Sequence, residues 1–103
     1  MRYYLTMTIK SFKCKETEAL FSGRRVPRWV HIERAALRKL EQLDWSAILE
    51  DLRVPPGNKL EALKGDRKGQ HSIRINDQWR VCFIWSIDSA TEVEIIDLSL
   101  KEL

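Results

Sequence analysis

A pair of alternating patterns around one turn constrains this chain more than any other feature. Apolar or aromatic residues occupy every second position on both sides of the segment Asn76-Asp77-Gln78: His71, Ile73 and Ile75 before it, then Trp79, Val81, Phe83 and Trp85. A period of two is typical of strands that bury one face. The two sets share a face only if the turn holds an odd number of residues, so we predict a hairpin with a three-residue turn.

That register predicts an unusual pair on the opposite face of the hairpin. It places Arg74 directly across from Arg80. Like charges that face each other across two strands are destabilising, so an anion between them is expected to offset the repulsion. The planar, two-pronged guanidinium group suits a phosphate. The alternative is that nearby surface carboxylates such as Glu92 or Glu94 neutralise both arginines.

The length and the net charge of the chain limit which kinds of protein it can be. The 103 residues fit one domain, 1–103, with one modest core. The net charge of +3 and the sequence pI near 9.0 permit a polyanionic partner without requiring one. No apolar run is long enough to span a membrane, and residues 1–6 are too short for a signal peptide. We interpret residues 1–6 as a disordered or alternative-start extension before Met7.

The cysteines and histidines exclude two kinds of site. Two cysteines, Cys14 and Cys82, are too few for a disulfide framework, so a reducing cytoplasmic location is expected. The two histidines and two cysteines lack the spacing of metal ligands, and we predict no metal and no cofactor.

The remaining periodicity predicts an α+β fold. Helices are expected over residues 15–21 and 29–43, the second with an apolar stripe of Ile32, Ala36, Leu40 and Leu43. A helical turn is expected over residues 46–52, and Pro55-Pro56-Gly57 breaks the chain. Strands are predicted over residues 7–12, 59–63, 71–75, 79–85 and 93–97. The order favours a small antiparallel sheet of about four to five strands with two N-terminal helices packed on it.

Three segments carry a family resemblance that covers residues 7–97. They are IKSF near the start, the long run DLRVPPGNKLEALKGDRKGQHSIRINDQWRVCF, and the closing VEIID. On these motifs the chain resembles the HigB toxins of bacterial type II toxin–antitoxin systems, within the RelE-like fold. The resemblance implies metal-free, ribosome-dependent cleavage of messenger RNA. It also implies a cognate HigA-like helix-turn-helix antitoxin, through which alone the protein would reach operator DNA.

Candidate roles follow from the chemistry that the resemblance implies. Attack by the ribose 2′-hydroxyl needs a base, cations for the developing charge and an acid for the leaving oxygen. Arg74 and Arg80 are the candidate cations, Glu61 the candidate base and Asp97 a positioning group. The basic loop is expected to bind the RNA backbone through Lys64, Arg67 and Lys68.

The end of the chain departs from the family pattern. Many members end in Asp-Tyr-His, whereas this chain has Asp97-Leu98-Ser99. Leucine cannot stack on a base as a ring does, and serine is no acid at neutral pH. Reduced activity is therefore expected. One alternative is a weakened or inactive toxin-like protein that binds its antitoxin and takes part in operator regulation, and another is a module that occupies RNA or the ribosome.

Simpler explanations exist for the other polar and aromatic residues. The basic loop could be a solvated turn, and Glu61 could pair with Lys59 or Lys64. His71 is expected to be packed near the core rather than to act as the acid. The four tryptophans are expected to be core and helix-packing residues: Trp29, Trp45, Trp79 and Trp85. A basic set could be a solvated surface or could meet ribosomal RNA or the antitoxin: Arg24, Arg25, Arg28, Arg34 and Arg38.

Overall fold

The computed structural model describes residues 7–98 and has two helices followed by a four-stranded antiparallel sheet. The helices are α1 (Lys15–Phe21) and α2 (Glu33–Trp45). The strands are β1 (Glu61–Ala62), β2 (His71–Arg74), β3 (Trp79–Ser86) and β4 (Ser89–Asp97), in the order β1-β2-β3-β4. Short 3-10 helices cover Pro27–Ile32, Leu49–Arg53, Pro56–Asn58 and Gly65–Arg67. The predicted α+β class is confirmed.

The helices cover the apolar face of the sheet. The predicted stripe of α2 is buried, with Ile32 in the preceding turn and Ala36, Leu40 and Leu43 in the helix. It packs in one cluster with residues of the central strands: Ile73, Val81, Phe83, Val93 and Ile95. Burial of large apolar side chains from both layers is the main force that holds such a fold together.

The predicted hairpin register is confirmed. Ile73 lies opposite Val81, and Arg74 lies opposite Arg80. The Ile75 amide donates a hydrogen bond to the Trp79 carbonyl at 2.9 Å, which closes a three-residue turn. The odd number of turn residues decides this arrangement, because a turn one residue longer or shorter would move one of the two apolar sets to the other face of the sheet.

Several predicted boundaries were wrong, each for a local reason. Residues 7–12 form only isolated parallel bridges to β4, since the Thr8 and Ile9 amides donate instead to the Asp44 carboxylate at 3.0 and 2.9 Å. The main helix begins at Glu33 and ends at Trp45, because the turn that starts at Pro27 is a 3-10 helix. The 46–52 turn is a 3-10 helix at Leu49–Arg53.

Two strand boundaries also differ. The strand predicted over residues 59–63 shrinks to Glu61–Ala62, because Lys59 takes a left-handed conformation with φ +46°. The last strand begins earlier, at Ser89, since a two-residue turn at Ile87 and Asp88 joins it directly to β3. These shifts leave the sheet topology unchanged.

The prediction that all four tryptophans pack inside was wrong for one of them. Trp29 and Trp79 are buried and their rings meet edge to face, with centroids 6.1 Å apart. Trp85 is partly buried against the core. Trp45, at the last position of α2, is 71% exposed. No helix in the described part of the chain is both long and apolar enough to cross a membrane.

Candidate active site

A cleft of about 540 Å³ opens where β3 begins and β4 ends. Its lining combines basic, acidic and apolar side chains: Arg28, Glu61, Leu63, Lys64, Arg67, Ser72, Trp79, Arg80, Ile95, Ile96, Asp97 and Leu98. Five of the seven predicted site residues are among them: Glu61, Lys64, Arg67, Arg80 and Asp97. A concave site with convergent charges on an apolar wall is what a charged, partly apolar ligand requires.

Arg80 is the most constrained charge in the cleft. Its side chain is only 9% exposed, its Nε donates to Ser72 Oγ at 2.7 Å, and its Nη2 donates to the Lys59 carbonyl at 2.6 Å. Burial lowers the pKa of the guanidinium, and the nearby Glu61 carboxylate opposes this shift. Because arginine remains protonated in proteins, Arg80 presents a fixed positive charge to the cleft.

Glu61 lies beside that charge. Its Oε1 is 3.7 Å from Arg80 Nη2, and its side chain is 57% exposed. The suggested simple pairing of Glu61 with Lys59 or Lys64 is therefore replaced by a loose pair with Arg80. A carboxylate in this position can reach both solvent and whatever group the arginine binds. Asp97 closes the other side of the cleft, and its Oδ2 accepts a hydrogen bond from Gln78 Nε2 at 3.1 Å.

The predicted RNA-binding residues of the basic loop differ in whether they reach the cleft. Lys64 and Arg67 line the cleft, whereas Lys68 does not. Arg67 Nη1 lies 3.0 Å from the Glu94 carboxylate and also donates to Gln70 Oε1 at 3.0 Å. These contacts hold the loop against β4. Glu94, suggested from the sequence as a partner of Arg74 or Arg80, instead pairs with Arg67.

Arg74 faces Arg80 in the register but does not line the cleft. Its guanidinium pairs with the exposed Asp77 carboxylate of the hairpin turn. Arg80 in turn is held by Ser72 and Lys59. The sequence suggested that a shared anion offsets the repulsion between Arg74 and Arg80. In the structure each arginine instead has partners within the protein. The role of Arg74 as a cation in the reaction stays a prediction.

Two polar cleft residues, Arg28 and Ser72, were not predicted as site residues. Arg28 was identified only as part of a basic surface, yet it lines the cleft, stacks 4.5 Å from the Trp29 ring centroid and pairs with Glu16 at 2.7 Å. Ser72 accepts the hydrogen bond of Arg80 Nε. The only sequence signal for Ser72 is its register position, two residues before Arg74 on the same face. Arg28 has no such signal, since its position depends on helix packing.

Two further side chains with reactive groups, Cys82 and His71, do not line the cleft. Cys82 is fully buried opposite Ser72, and burial raises the pKa of its thiol to about 11, so it stays protonated near neutral pH. His71 stacks on Phe83, with ring centroids 6.2 Å apart, as expected of a packed histidine. Within residues 7–98 no cluster of three or more histidine, cysteine or acidic side chains could hold a metal ion.

A family model described as the RelE-like toxin of the type II toxin–antitoxin system HigB matches residues 10–100. The chain belongs to this HigB-like toxin family. Toxin HigB-1 of Vibrio cholerae is 45% identical over 76 residues, which cover 72% of this chain and 80% of that protein. An uncharacterised protein of Haemophilus influenzae is 36% identical over 53 residues, covering 52% of each chain.

The fold of this HigB-like toxin is also found in YafQ of E. coli. A histidine-to-glutamine mutant of YafQ superposes with a TM-score of 0.57 at 16% identity, and YafQ from strain BL21(DE3) with 0.55 at 14%. Both alignments cover 88% of this chain and 92% of YafQ. The protein is therefore a type II toxin, and its family implies an antitoxin partner.

The C-terminal segment that was predicted to depart from the family pattern reaches the cleft. Leu98, for which the resemblance implies an aromatic residue in many members, lines the cleft. Its amide donates to the Gln78 carbonyl at 2.7 Å, which holds the backbone next to Asp97. Ser99, the counterpart of the histidine, lies outside the described residues, as does the 1–6 extension.

Proposed function

We propose that this HigB-like toxin is an mRNA endonuclease that acts on the ribosome and uses the cleft around Arg80 as its active site. One observation carries the proposal: Glu61, an accessible carboxylate, lies 3.7 Å from the nearly buried guanidinium of Arg80. A base beside a fixed cation supplies two of the three groups that 2′-hydroxyl attack on a phosphodiester needs, and water can serve as the acid.

The proposed reaction assigns one task to each group. Glu61 removes the proton from the ribose 2′-hydroxyl, and the resulting oxygen forms a bond to the adjacent phosphorus. The bond from phosphorus to the 5′-oxygen of the next nucleotide breaks and that oxygen takes up a proton from water, which leaves a 2′,3′-cyclic phosphate and a 5′-hydroxyl. Arg80 stabilises the charge on the non-bridging oxygens, and Asp97 positions the reacting ribose.

The surrounding cations are proposed to hold the flanking RNA. Lys64, Arg67 and Arg28 all line the cleft, so a strand bound there can contact them through its phosphates. Arg74 and Lys68, outside the cleft lining, are proposed as contacts further along the backbone. The proposed partners are the ribosome with its mRNA and a HigA-like helix-turn-helix antitoxin.

A second function is favoured by the composition of the cleft. Among the described residues that line it there is no histidine and no tyrosine, so the tyrosine and the histidine that the family resemblance implies are not supplied from this set. The alternative proposal is a toxin-like protein that binds its antitoxin, takes part in operator regulation and cleaves slowly or not at all.

Cleavage of a defined mRNA on programmed ribosomes distinguishes the two functions. We expect ribosome-dependent cuts that carry 2′,3′-cyclic phosphate ends, with Glu61→Gln lowering kcat by at least about 100-fold. Glu50→Gln is the matched control, because it removes the same charge from an exposed residue outside the cleft and should stay within about twofold. A folded protein that binds its antitoxin but makes no cuts would favour the second function.

A further inference from the structure

The orientation of the Arg80 guanidinium is fixed by two different segments of the chain. Its Nε donates to the hydroxyl of Ser72 on β2 at 2.7 Å, and its Nη2 donates to the carbonyl of Lys59, before β1, at 2.6 Å. A longer bond of 3.4 Å joins Nη2 to the Ser72 carbonyl. A guanidinium held at both Nε and Nη2 cannot rotate about its terminal bonds. Its remaining N–H groups therefore keep one direction.

The Lys59 carbonyl is itself held in place. Lys59 adopts φ +46° and ψ 56°, a left-handed conformation that is costly for a residue other than glycine. Such a conformation persists only where its surroundings impose it. The 3-10 turn Pro56–Asn58 precedes it, and the Lys59 amide donates to the Pro56 carbonyl at 3.0 Å.

Asn58 connects this turn to α2. The side chain is fully buried, and its Nδ2 donates to the Leu52 carbonyl at 3.0 Å and to Gln42 Oε1 at 3.1 Å. Its Oδ1 accepts a hydrogen bond from Lys39 Nζ at 2.5 Å. A buried amide with both ends bonded is a rigid connection, because each bond is costly to leave unmade. The position of the Lys59 carbonyl is thereby tied to the helix.

Resting on the proposed function, we propose that Ser72 and Asn58 are positioning residues, which orient Arg80 toward the phosphate without contacting RNA themselves. Ser72 acts through Arg80 Nε, and Asn58 acts through the Lys59 carbonyl. Charge stabilisation depends on donors that are aligned before the reaction, so a guanidinium that turns loses effect in the transition state. Binding of flanking RNA by Lys64 and Arg67 is left intact.

The test separates rate from binding. In Ser72→Ala we expect kcat for ribosome-dependent mRNA cleavage to fall by about tenfold while KM stays within about twofold. Ser72→Thr keeps a hydroxyl on a strand and should restore most of kcat. Asn58→Asp, which loses the hydrogen bonds that the amide Nδ2 donates, should lower kcat in the same way.

Ser46→Ala is the matched control. Ser46 is also buried, and its hydroxyl donates to the Gln42 carbonyl at 2.8 Å, but it does not line the cleft. This variant removes a comparable hydrogen bond, so it should change the melting temperature about as much as Ser72→Ala and leave kcat unchanged.

A spectroscopic readout makes the result independent of cleavage. The ¹H–¹⁵N cross-peak of Arg80 Nε, assigned by its loss in Arg80→Lys, should be protected from solvent exchange in the wild type. It should shift and exchange faster in Ser72→Ala, but not in Ser46→Ala.

Three outcomes would overturn the proposal. One is a Ser72→Ala protein with an unchanged Arg80 cross-peak, and another is full kcat in Ser72→Ala or Asn58→Asp. The third is a wild type with a protected cross-peak that cuts no mRNA, which would refute the proposed function and reduce the two contacts to structural ones. If Ser72→Ala fails to fold, Ser72→Thr tests the proposal: the Arg80 cross-peak must stay protected from exchange and most of the wild-type kcat must be retained.

Discussion

The two ends of the molecule differ in which side chains are buried and which are exposed. At the cleft end, Arg80 is almost buried and makes hydrogen bonds through both Nε and Nη2. At the other end, Trp45 and Ile87 are 71% and 91% exposed. Burial of a charged group costs free energy unless the group is hydrogen-bonded, whereas exposure of a single apolar side chain is common and costs little. At the cleft end, therefore, the fold holds a charged side chain in a defined position although its burial is unfavourable.

The turns at the two ends show the same contrast. In the cleft-end turn, Asn76 Oδ1 accepts from the amides of Gln78 and Trp79 at 2.8 and 2.9 Å, and Gln78 bonds to Asp97. In the far turn, Ile87 takes φ +56°, a left-handed conformation that a β-branched residue rarely adopts. In the first turn a side-chain oxygen accepts from two backbone amides, whereas the second turn is closed by strand pairing at Ser86 and Ser89 and by a hydrogen bond from Trp85 Nε1 to the Ile87 carbonyl at 3.2 Å.

The largest expected effect is a difference in rate between the two ends. Arg80→Ala should lower kcat for mRNA cleavage by about 10²- to 10³-fold, because it removes the cation that stabilises the transition state. Trp45→Ala, at the far end, should leave kcat within about twofold and change the free energy of unfolding by less than roughly 0.5 kcal/mol. Steady-state cleavage and thermal unfolding of both variants measure the contrast. A comparable rate loss in both would show that the far end also contributes to the reaction.

An intermediate effect is expected on the salt dependence of ribosome binding. If Lys64 contacts a phosphate, Lys64→Ala should reduce the slope of log affinity against log salt concentration by about one unit. Lys10→Ala is the control, since Lys10 is an exposed lysine that lines a groove at the far end beside Trp45. Equal slopes in the wild type and Lys64→Ala would remove Lys64 from the RNA path.

The smallest effect concerns stability alone. Ile87→Gly should raise the free energy of unfolding by about 1 kcal/mol, because glycine adopts positive φ without the steric cost that isoleucine has. The side chain is almost fully exposed, so little packing is lost. Urea unfolding measures the change, and cleavage should be unaffected. A destabilised Ile87→Gly would mean that the isoleucine makes contacts that its exposure does not reveal.

Local patterns predicted a large part of the fold. Period-two alternation and the parity of the turn predicted that Ile73 faces Val81 and that Arg74 faces Arg80. The stripe of Ala36, Leu40 and Leu43 predicted the buried face of α2. The boundary at Glu33 was missed because one turn of 3-10 helix and one turn of α-helix both bring residues i and i+3 to the same side, so a single turn does not distinguish them.

Patterns in the sequence predicted only part of the candidate site. Resemblance and register pointed to Glu61, Arg80 and three other residues of the cleft. Neither could show that Arg74 would pair with Asp77, or that Arg28 would reach the cleft from another element. These outcomes depend on rotamers and on helix packing, which sequence spacing does not determine.

The sequence by itself determined the strand register, the buried stripe and the family, because each depends on the identity and spacing of residues near one another in the chain. Only the tertiary structure decided which arginine faces the cleft. Arg74 and Arg80 are equivalent in the hairpin, but distant segments distinguish them. The Lys59 carbonyl, fixed through Asn58 to α2, accepts a bond from Arg80 and not from Arg74. A hydrogen-bond acceptor brought in by the packing of another segment cannot be predicted from the hairpin's own pattern.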